Sequence, residues 1–294
     1  MGRLINSEQI LLALTSSVFV LILLLFGFLF WFSIPVFVSS PVALFSLEWQ
    51  PEAGLYGIMP MVAGSISLGL TALLLAFPVA VGICGFCLIE RYHGLAVWVR
   101  RLIRLMAGIP TVVYGLTAIF VLVPLLREIF RSGSGFCLLA AVIMIVLLIL
   151  PVMVTMLDNH CQPLAQQIRF ASYAMGFSDI QIVYHLVLPH CRQGMLAAAL
   201  LGFNRAIGDT LLPLMLAGNA PQLTGNPLDS IRVLTAHIGL VISTESGSAA
   251  YNSLFAAGLL LLLISVSVTL LIKYMERHSH TVSTNSLVKQ VKQE

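Results

Sequence analysis

The chain has 294 residues, of which 59% are hydrophobic and only 9% charged, with a formal net charge of +3. Ordinary soluble domains carry about 25% charged residues, so this composition excludes an aqueous surface of the usual kind. The small positive balance has no basic stripe behind it, which excludes a nucleic-acid surface and leaves membrane topology as its origin.

Apolar stretches long enough to span a bilayer occur near 11–33, 63–89, 105–126, 136–157, 193–217 and 251–273, since the hydrocarbon core takes about 20 helical residues. The expected fold class is an all-α integral membrane protein with six transmembrane helices. The first run follows a short N-terminus at 1–10, is longer than a signal-peptide core and lacks a small-residue cleavage site after it. It reads as an uncleaved anchor. The outer segment 34–62 is turn-rich around Trp49-Gln50-Pro51 and Tyr56-Gly57-Ile58-Met59-Pro60, and its aromatics suit the membrane surface. No charged residue lies between Glu52 and Glu90, which makes the second span the most secure. Within it, Cys84 and Cys87 form a CxxC with apolar neighbours Ile83 and Phe86, a setting for packing rather than redox chemistry.

In the third span, Gly108-Ile109-Pro110 and Pro124 are expected to bend the helix, with neighbouring helices satisfying the freed carbonyls. Cys137 begins the fourth span, and Cys161 and Cys191 flank the loop 158–192, where free thiols are expected. Within that loop, Gln167 to Met175 reads as a short helix stopped at Gly176. A second short helix starts from Ser178, and Pro189 redirects the chain toward the membrane. His160, His185 and His190 lie near the two cysteines, but their spacings match no standard zinc pattern, so no metal site is expected. Between the last two spans, Ser230 to Ile242 is apolar, with Arg232 and His237 interspersed. It is too short to cross, so an interfacial or re-entrant helix is expected. The tail 274–294 is polar and is expected to be loosely ordered.

Placing the N-terminus in the cytoplasm puts Arg3, Arg91, Arg100, Arg101, Arg104, Arg169, Arg192, Lys273, Arg277, Lys289 and Lys292 inside, and only Arg127, Arg131 and Arg232 outside. The positive-inside rule therefore sets both termini in the cytoplasm. Arg205 is the remaining cation, and it falls midway along the fifth apolar run with Asp209 one helical turn on. If that run is one helix, Arg205 sits about 18 Å from either end, near the bilayer midplane. A charge there costs at least about 3 kcal/mol, so it normally faces a protein interior or a water-filled path. The default reading is a functional site. A guanidinium fork suits an oxyanion, and Asp209 at i+4 is expected to hold Arg205 between encounters. Asn204 and Thr210 beside them, and Thr111 and Tyr114 in the third span, are further candidates for the path. For these four, helix packing is the competing reading.

The loop string Ala171-Ser172-Tyr173-Ala174-Met175-Gly176, followed by Leu188-Pro189, resembles the "EAA" coupling loop of ABC-importer permeases, whose Gly and Leu-Pro stand at this spacing. Phe170 occupies the position of that motif's Glu, and Ser172 that of its second Ala. Ala107-Gly108-Ile109-Pro110-Thr111-Val112-Val113-Tyr114-Gly115-Leu116, Arg205-Ala206-Ile207-Gly208-Asp209-Thr210 and the outer Gly57-Ile58-Met59-Pro60 are similar to signature segments of phosphate ABC-transporter permeases of the PstC type. The PstA type is the close sibling. In the fifth-span string the usual acid is Glu, so Asp209 is a shorter variant.

The resemblance implies the type I ABC-importer permease fold, with a permease core over 63–273. It implies a non-catalytic subunit of a phosphate importer in the bacterial cytoplasmic membrane. Its partners would be a PstA-type permease, a PstB-type ATPase dimer and a PstS-type phosphate-binding protein. Ala171, Ser172, Gly176, Leu188 and Pro189 would couple to the ATPase, while Arg205, Asp209, Asn204, Thr210, Thr111 and Tyr114 would line the substrate path. No cofactor is expected in this chain. A P-loop needs Gly-Lys-Ser/Thr, and none of Lys273, Lys289 and Lys292 follows a Gly, so ATP would be bound by the partner subunits. Competing readings are a permease for molybdate, tungstate or sulfate, a membrane enzyme, and a channel open without ATP. The enzyme reading is weakened because all seven histidines fall outside the confident spans.

Overall fold

A computed structural model describes residues 2–39, 46–131, 133–245 and 247–291. The parts of the outer segment at 40–45 and of the tail at 292–294 lie outside the described residues. Helix α1 (Gly2–Ser39) leads to a short hairpin, β1 (Trp49–Gln50) and β2 (Leu55–Tyr56), paired antiparallel. Next come α2 (Met59–Leu88), α3 (His93–Ala107), α4 (Thr111–Thr117), a π-helical turn at Ala118–Leu122 and α5 (Val123–Phe130). Helix α6 (Leu138–Ala174) is followed by α7 (Asp179–Gln181), a second π-helical turn at Ile182–Val187 and α8 (Leu188–His190). The chain ends with α9 (Arg192–Gly208), α10 (Leu211–Leu216), α11 (Leu234–Val241) and α12 (Ala249–Val291).

Among the described residues, five helices are long and apolar enough to cross a membrane, at Glu8–Ile34, Met59–Leu88, Thr111–Phe130, Leu138–Ala174 and Ala250–Leu271. The segments Asp179–His190 and Arg192–Gly208 qualify only when taken together, and they meet at 70°. Helix α9 alone is about 25 Å long, and the bent pair makes a sixth candidate span only when counted as one. The third span starts later than the sequence indicates, because Gly108-Ile109-Pro110 separates two helices rather than bending one. Pro110 is extended at φ −59, ψ 140 and caps α4, as expected of a residue without an N–H at a helix start. Pro124 follows the π-helical turn, where the wider hydrogen-bond spacing absorbs its missing donor.

Helix α6 is the most buried of the spans and forms the centre of the core. Leu68, Ala72, Ala76, Ala80 and Cys84 follow one another every four residues on α2, all buried, and this small-residue stripe lets α2 approach α6 closely. Cys84 and Cys87 are both buried free thiols within that packing. Gly69 makes a second close approach possible, since a Cβ there would stand 2.6 Å from Cγ2 of Ile207 on α9. By contrast α1 is exposed along its apolar length and leans on α12 through Phe32 and Phe255, whose ring centroids lie 5.2 Å apart.

One outer segment differs from expectation, and another is decided between its two expected placements. Trp49 does not lie across a surface. It is buried with its ring 4.5 Å from that of His237, so the hairpin folds down onto α11. Helix α11 is itself buried over most of its length and packs on α2, α10 and α12, which fits the re-entrant alternative better than a helix lying on a surface. The tail after Met275, expected to be loose, continues α12 to Val291. No Pro or Gly interrupts that stretch, and those are the residues that stop helices most strongly.

Candidate functional site

The fifth apolar run is not one helix. Helix α9 stops at Gly208, and Asp209 is extended at φ −75, ψ 132. Gly208 is a weak helix former, and Pro213 has no N–H to give to the carbonyl of Asp209, its i−4 partner in a continuous helix. That carbonyl instead accepts a 2.8 Å hydrogen bond from the Thr235 hydroxyl of α11. The Asp209 carboxylate accepts the Leu212 N–H at 2.9 Å, satisfying a first-turn donor of α10. Asp209 is 5% exposed. It does not clasp Arg205. The ion pairs among the described residues are Arg100–Asp158 and Arg169–Glu90, because leaving the helix after Gly208 carries the carboxylate away from the i+4 position.

Arg205 occupies the last turn of α9, where the carbonyl end of the helix favours a cation. Counting from Arg192, it lies about 20 Å along the helix, toward its far end rather than at its middle. Its side chain is exposed, in line with exposed Leu201 and Gly208. Steps of four and three residues put the three on one stripe. The opposite face, with Ala198, Ala206 and Ile207, is buried toward α2 and α6.

The other expected path residues point elsewhere. Asn204 donates to Thr269 of α12 at 3.4 Å and keeps its Oδ1 buried without a partner. Thr210 is half-buried in the break itself. Tyr114 is buried and donates at 3.0 Å to the carbonyl of Met106. It ties α4 to α3 across the Gly108–Pro110 break, and Thr111 is the half-buried first residue of α4. The structure therefore brings Asn204, Arg205, Asp209 and Thr210 to one break, and assigns Tyr114 to holding another.

The second centre is the loop after α6. Its first short helix has no separate existence, since α6 runs unbroken through Pro151 and Pro163 to Ala174. The stop is where the sequence puts it. Gly176 has φ +82, the left-handed region where only glycine is free of strain. Its N–H donates to the Tyr173 carbonyl at 2.9 Å and that of Phe177 to the Ser172 carbonyl at 3.1 Å. Ser178 then opens α7 with a capping box completed by Gln181. Ser172 and Leu188 are buried and Pro189 half-buried, whereas Ala171 and Gly176 are exposed. The face that the loop presents is apolar: Phe170 is 87% exposed, Met175 66% and Ile180 56%, with Tyr184 beside them. The chain turns back into the bundle at Cys191 rather than at Pro189, and there the 70° bend occurs.

A polar latch that sequence spacing did not reveal fixes this loop. Arg169 donates to the Leu88 carbonyl at 2.6 Å and stands 3.6 Å from Glu90. The Tyr173 hydroxyl is shared between Glu90, at 3.0 Å, and Asp179. Asp179 also accepts the Arg91 N–H at 3.3 Å. Nearby, Arg100 grips Asp158 through Nε and Nη2, both at 2.8 Å, and this hydrogen-bonded pairing holds the guanidinium above its ordinary pKa. The loop is thus bolted to the α2–α3 link. The partners lie as many as 88 residues apart in sequence, so no local pattern signals them.

The family described as "Binding-protein-dependent transport system inner membrane component" matches residues 95–280. The chain belongs to this family of permeases. A probable ABC transporter permease protein, YqgH of Bacillus subtilis, is 34% identical over 241 residues, covering 80% of this chain and 78% of that one. The phosphate transport system permease protein PstC of Xylella fastidiosa (strain Temecula1) is 27% identical over 253 residues, covering 79% and 77%. Among solved structures, an inward-facing MetNI methionine ABC transporter aligns with a TM-score of 0.60 at 17% identity, over 79% of this chain and 99% of that one. The permease fold expected from the sequence is the fold observed, in a multi-pass membrane protein.

Proposed function

We propose that this permease is the PstC-type subunit of an ATP-driven phosphate importer, in which Arg205 meets the anion within the membrane. The observation that carries the reading is the uncovered stripe Leu201, Arg205, Gly208 on α9. It leaves a guanidinium open at membrane depth, on a face that a second permease subunit completes into a path. Phosphate leaving water needs fixed donors, and the planar fork of Arg supplies two in parallel. Asp209 serves the path indirectly, by capping α10 and so ending α9 just beyond Arg205. Relatives named PstC support phosphate over other oxyanions.

The partners are a PstA-type permease, a PstB-type ATPase dimer that binds ATP and seats the exposed face around Phe170, Met175 and Ile180, and a PstS-type phosphate-binding protein on the opposite side. This chain performs no catalysis and holds no cofactor. It lies in the bacterial cytoplasmic membrane with both termini in the cytoplasm, as its arginine and lysine distribution supports. Closure of the ATPase dimer moves residues 171–189. The force passes through α7 and α8, around the bend at Cys191, and into α9, whose last turn carries Arg205. Hydrolysis resets the access inward.

The test is uptake of radiolabelled phosphate by cells that express this chain with its partner subunits, in competition with arsenate, sulfate and molybdate. Arsenate should compete strongly, and the other two should not. Equal competition by molybdate or sulfate overturns the assignment to phosphate.

A further inference from the structure

A cavity of ≈ 220 Å³ opens beside the latch, lined among others by Glu90, His93, Arg100, Gln162, Gln166 and Arg169. Pockets for drug-sized ligands start at about 300 Å³, so this space fits a small polyatomic ion. Its donors outnumber the acceptors that engage them. Both faces of the Arg100 fork are committed, to Asp158 and to the Cys87 carbonyl at 3.1 Å. Arg169 is not so committed. Its 3.6 Å approach to Glu90 is too long for a hydrogen bond, and its Nε is buried with no partner. A buried N–H without an acceptor is costly, and because this one has no open surface beside the cavity, an acceptor in the cavity engages it only when the guanidinium turns inward. Gln162, Gln166 and Arg169 follow at steps of four and three on α6, which sets two amides and a guanidinium on one stripe. His93, the first residue of α3, adds an imidazole to the same lining.

From this geometry we infer that the cavity binds a phosphate-class oxyanion from the side of the coupling loop, held by Arg169, Gln162, Gln166 and His93. Arg169 also holds Glu90 and the Leu88 carbonyl in the latch. An anion that draws the guanidinium inward loosens its grip on Glu90, and with it the bolt between the loop and the α2–α3 link. Occupancy therefore weakens coupling when the transported anion accumulates on the loop side. The identity of the anion and the side it comes from rest on the phosphate-import reading above.

The test is equilibrium binding of radiolabelled phosphate to the assembled, nucleotide-free transporter without its binding protein, in phosphatidylcholine nanodiscs. All samples carry Arg205→Ala to silence the membrane path. Binding should persist in that background and weaken at least about tenfold, or about 1.4 kcal/mol, when Gln166→Glu or Gln162→Glu adds a carboxylate to the exposed rim. In complexes with native Arg205, millimolar phosphate on the loop side should lower uptake per ATP hydrolysed several-fold, and the Gln166→Glu variant should escape that fall. Undiminished binding in both glutamate variants overturns the inference. Displacement of bound phosphate by phosphatidylglycerol in the nanodisc supports the site and identifies a lipid headgroup as its resident. Uptake measured separately keeps the two readings apart: phosphate that binds here but is not imported sinks the import reading alone, and phosphate that is imported but does not bind here sinks this inference alone.

Discussion

The break between α9 and α10 and the loop at 171–190 both carry signature residues, and they divide the work differently. At the break, the acid of the string is buried and builds structure, with its carboxylate on the Leu212 N–H and its carbonyl on Thr235. The base, Arg205, is left open. In the loop, the recognised positions Ser172, Gly176 and Leu188 shape the turn or sink into the core, while Phe170, Met175 and Ile180 form the exposed face. A motif string therefore marks where this chain builds scaffold. Contact belongs to the side chains that the scaffold leaves uncovered, whether inside the string, as with Arg205, or beside it, as with Phe170.

Substitutions separate the two kinds of residue. The largest effect is expected at Arg205→Ala, which should lower labelled-phosphate uptake about 100-fold, matching the loss of charge-assisted hydrogen bonds worth up to about 3 kcal/mol. The complex should still purify intact, because an exposed side chain holds nothing in this chain. Next comes Gly176→Val. A β-branched residue at φ +82 costs about 1–3 kcal/mol in backbone strain, and nothing crowds the site otherwise. Uptake per ATP hydrolysed should fall several-fold, and an unchanged ratio would move ATPase docking elsewhere. Asp209→Ala removes a capping acceptor and should destabilise the protein by about 1 kcal/mol, read as a melting temperature a few degrees lower. The smallest effect is expected at Tyr173→Phe, a loss of about 1 kcal/mol confined to the latch. Amide exchange at 176–181 should quicken there, and unaltered exchange would mean that the latch does not hold the loop.

Much of the fold is legible in the sequence because bilayer length and turn chemistry are local signals. The charge-free stretch before Glu90 gives α2, and Gly176 with Ser178 gives the loop's stop and restart. What the sequence hides is non-local. An apolar run reads the same whether it is one helix or a helix, a break and a second helix. The break at Gly208 is decided by the absent N–H of Pro213 together with a hydroxyl on α11. The Arg205–Asp209 pair fails as a clasp for that reason, although both residues stand at the break. The third span shifts because Gly108–Pro110, a kink by local rules, becomes a full stop once Tyr114 bridges it to Met106. Trp49 reads as interfacial until His237 on α11 arrives beneath it. The partners that latch Tyr173 lie on both sides of it in the chain and meet only after folding.

The central claim is that Arg205 contacts the anion while Asp209 only shapes the break, and one side-by-side measurement tests it. Labelled-phosphate uptake should be compared for Arg205→Ala and Asp209→Asn in the same assembled transporter. An asparagine still offers an oxygen to the Leu212 N–H, so Asp209→Asn should keep uptake within about threefold of the parent, well under 1 kcal/mol, while Arg205→Ala falls to background. Loss of uptake in Asp209→Asn as deep as in Arg205→Ala would show that the carboxylate's charge is part of the path, and would contradict the account.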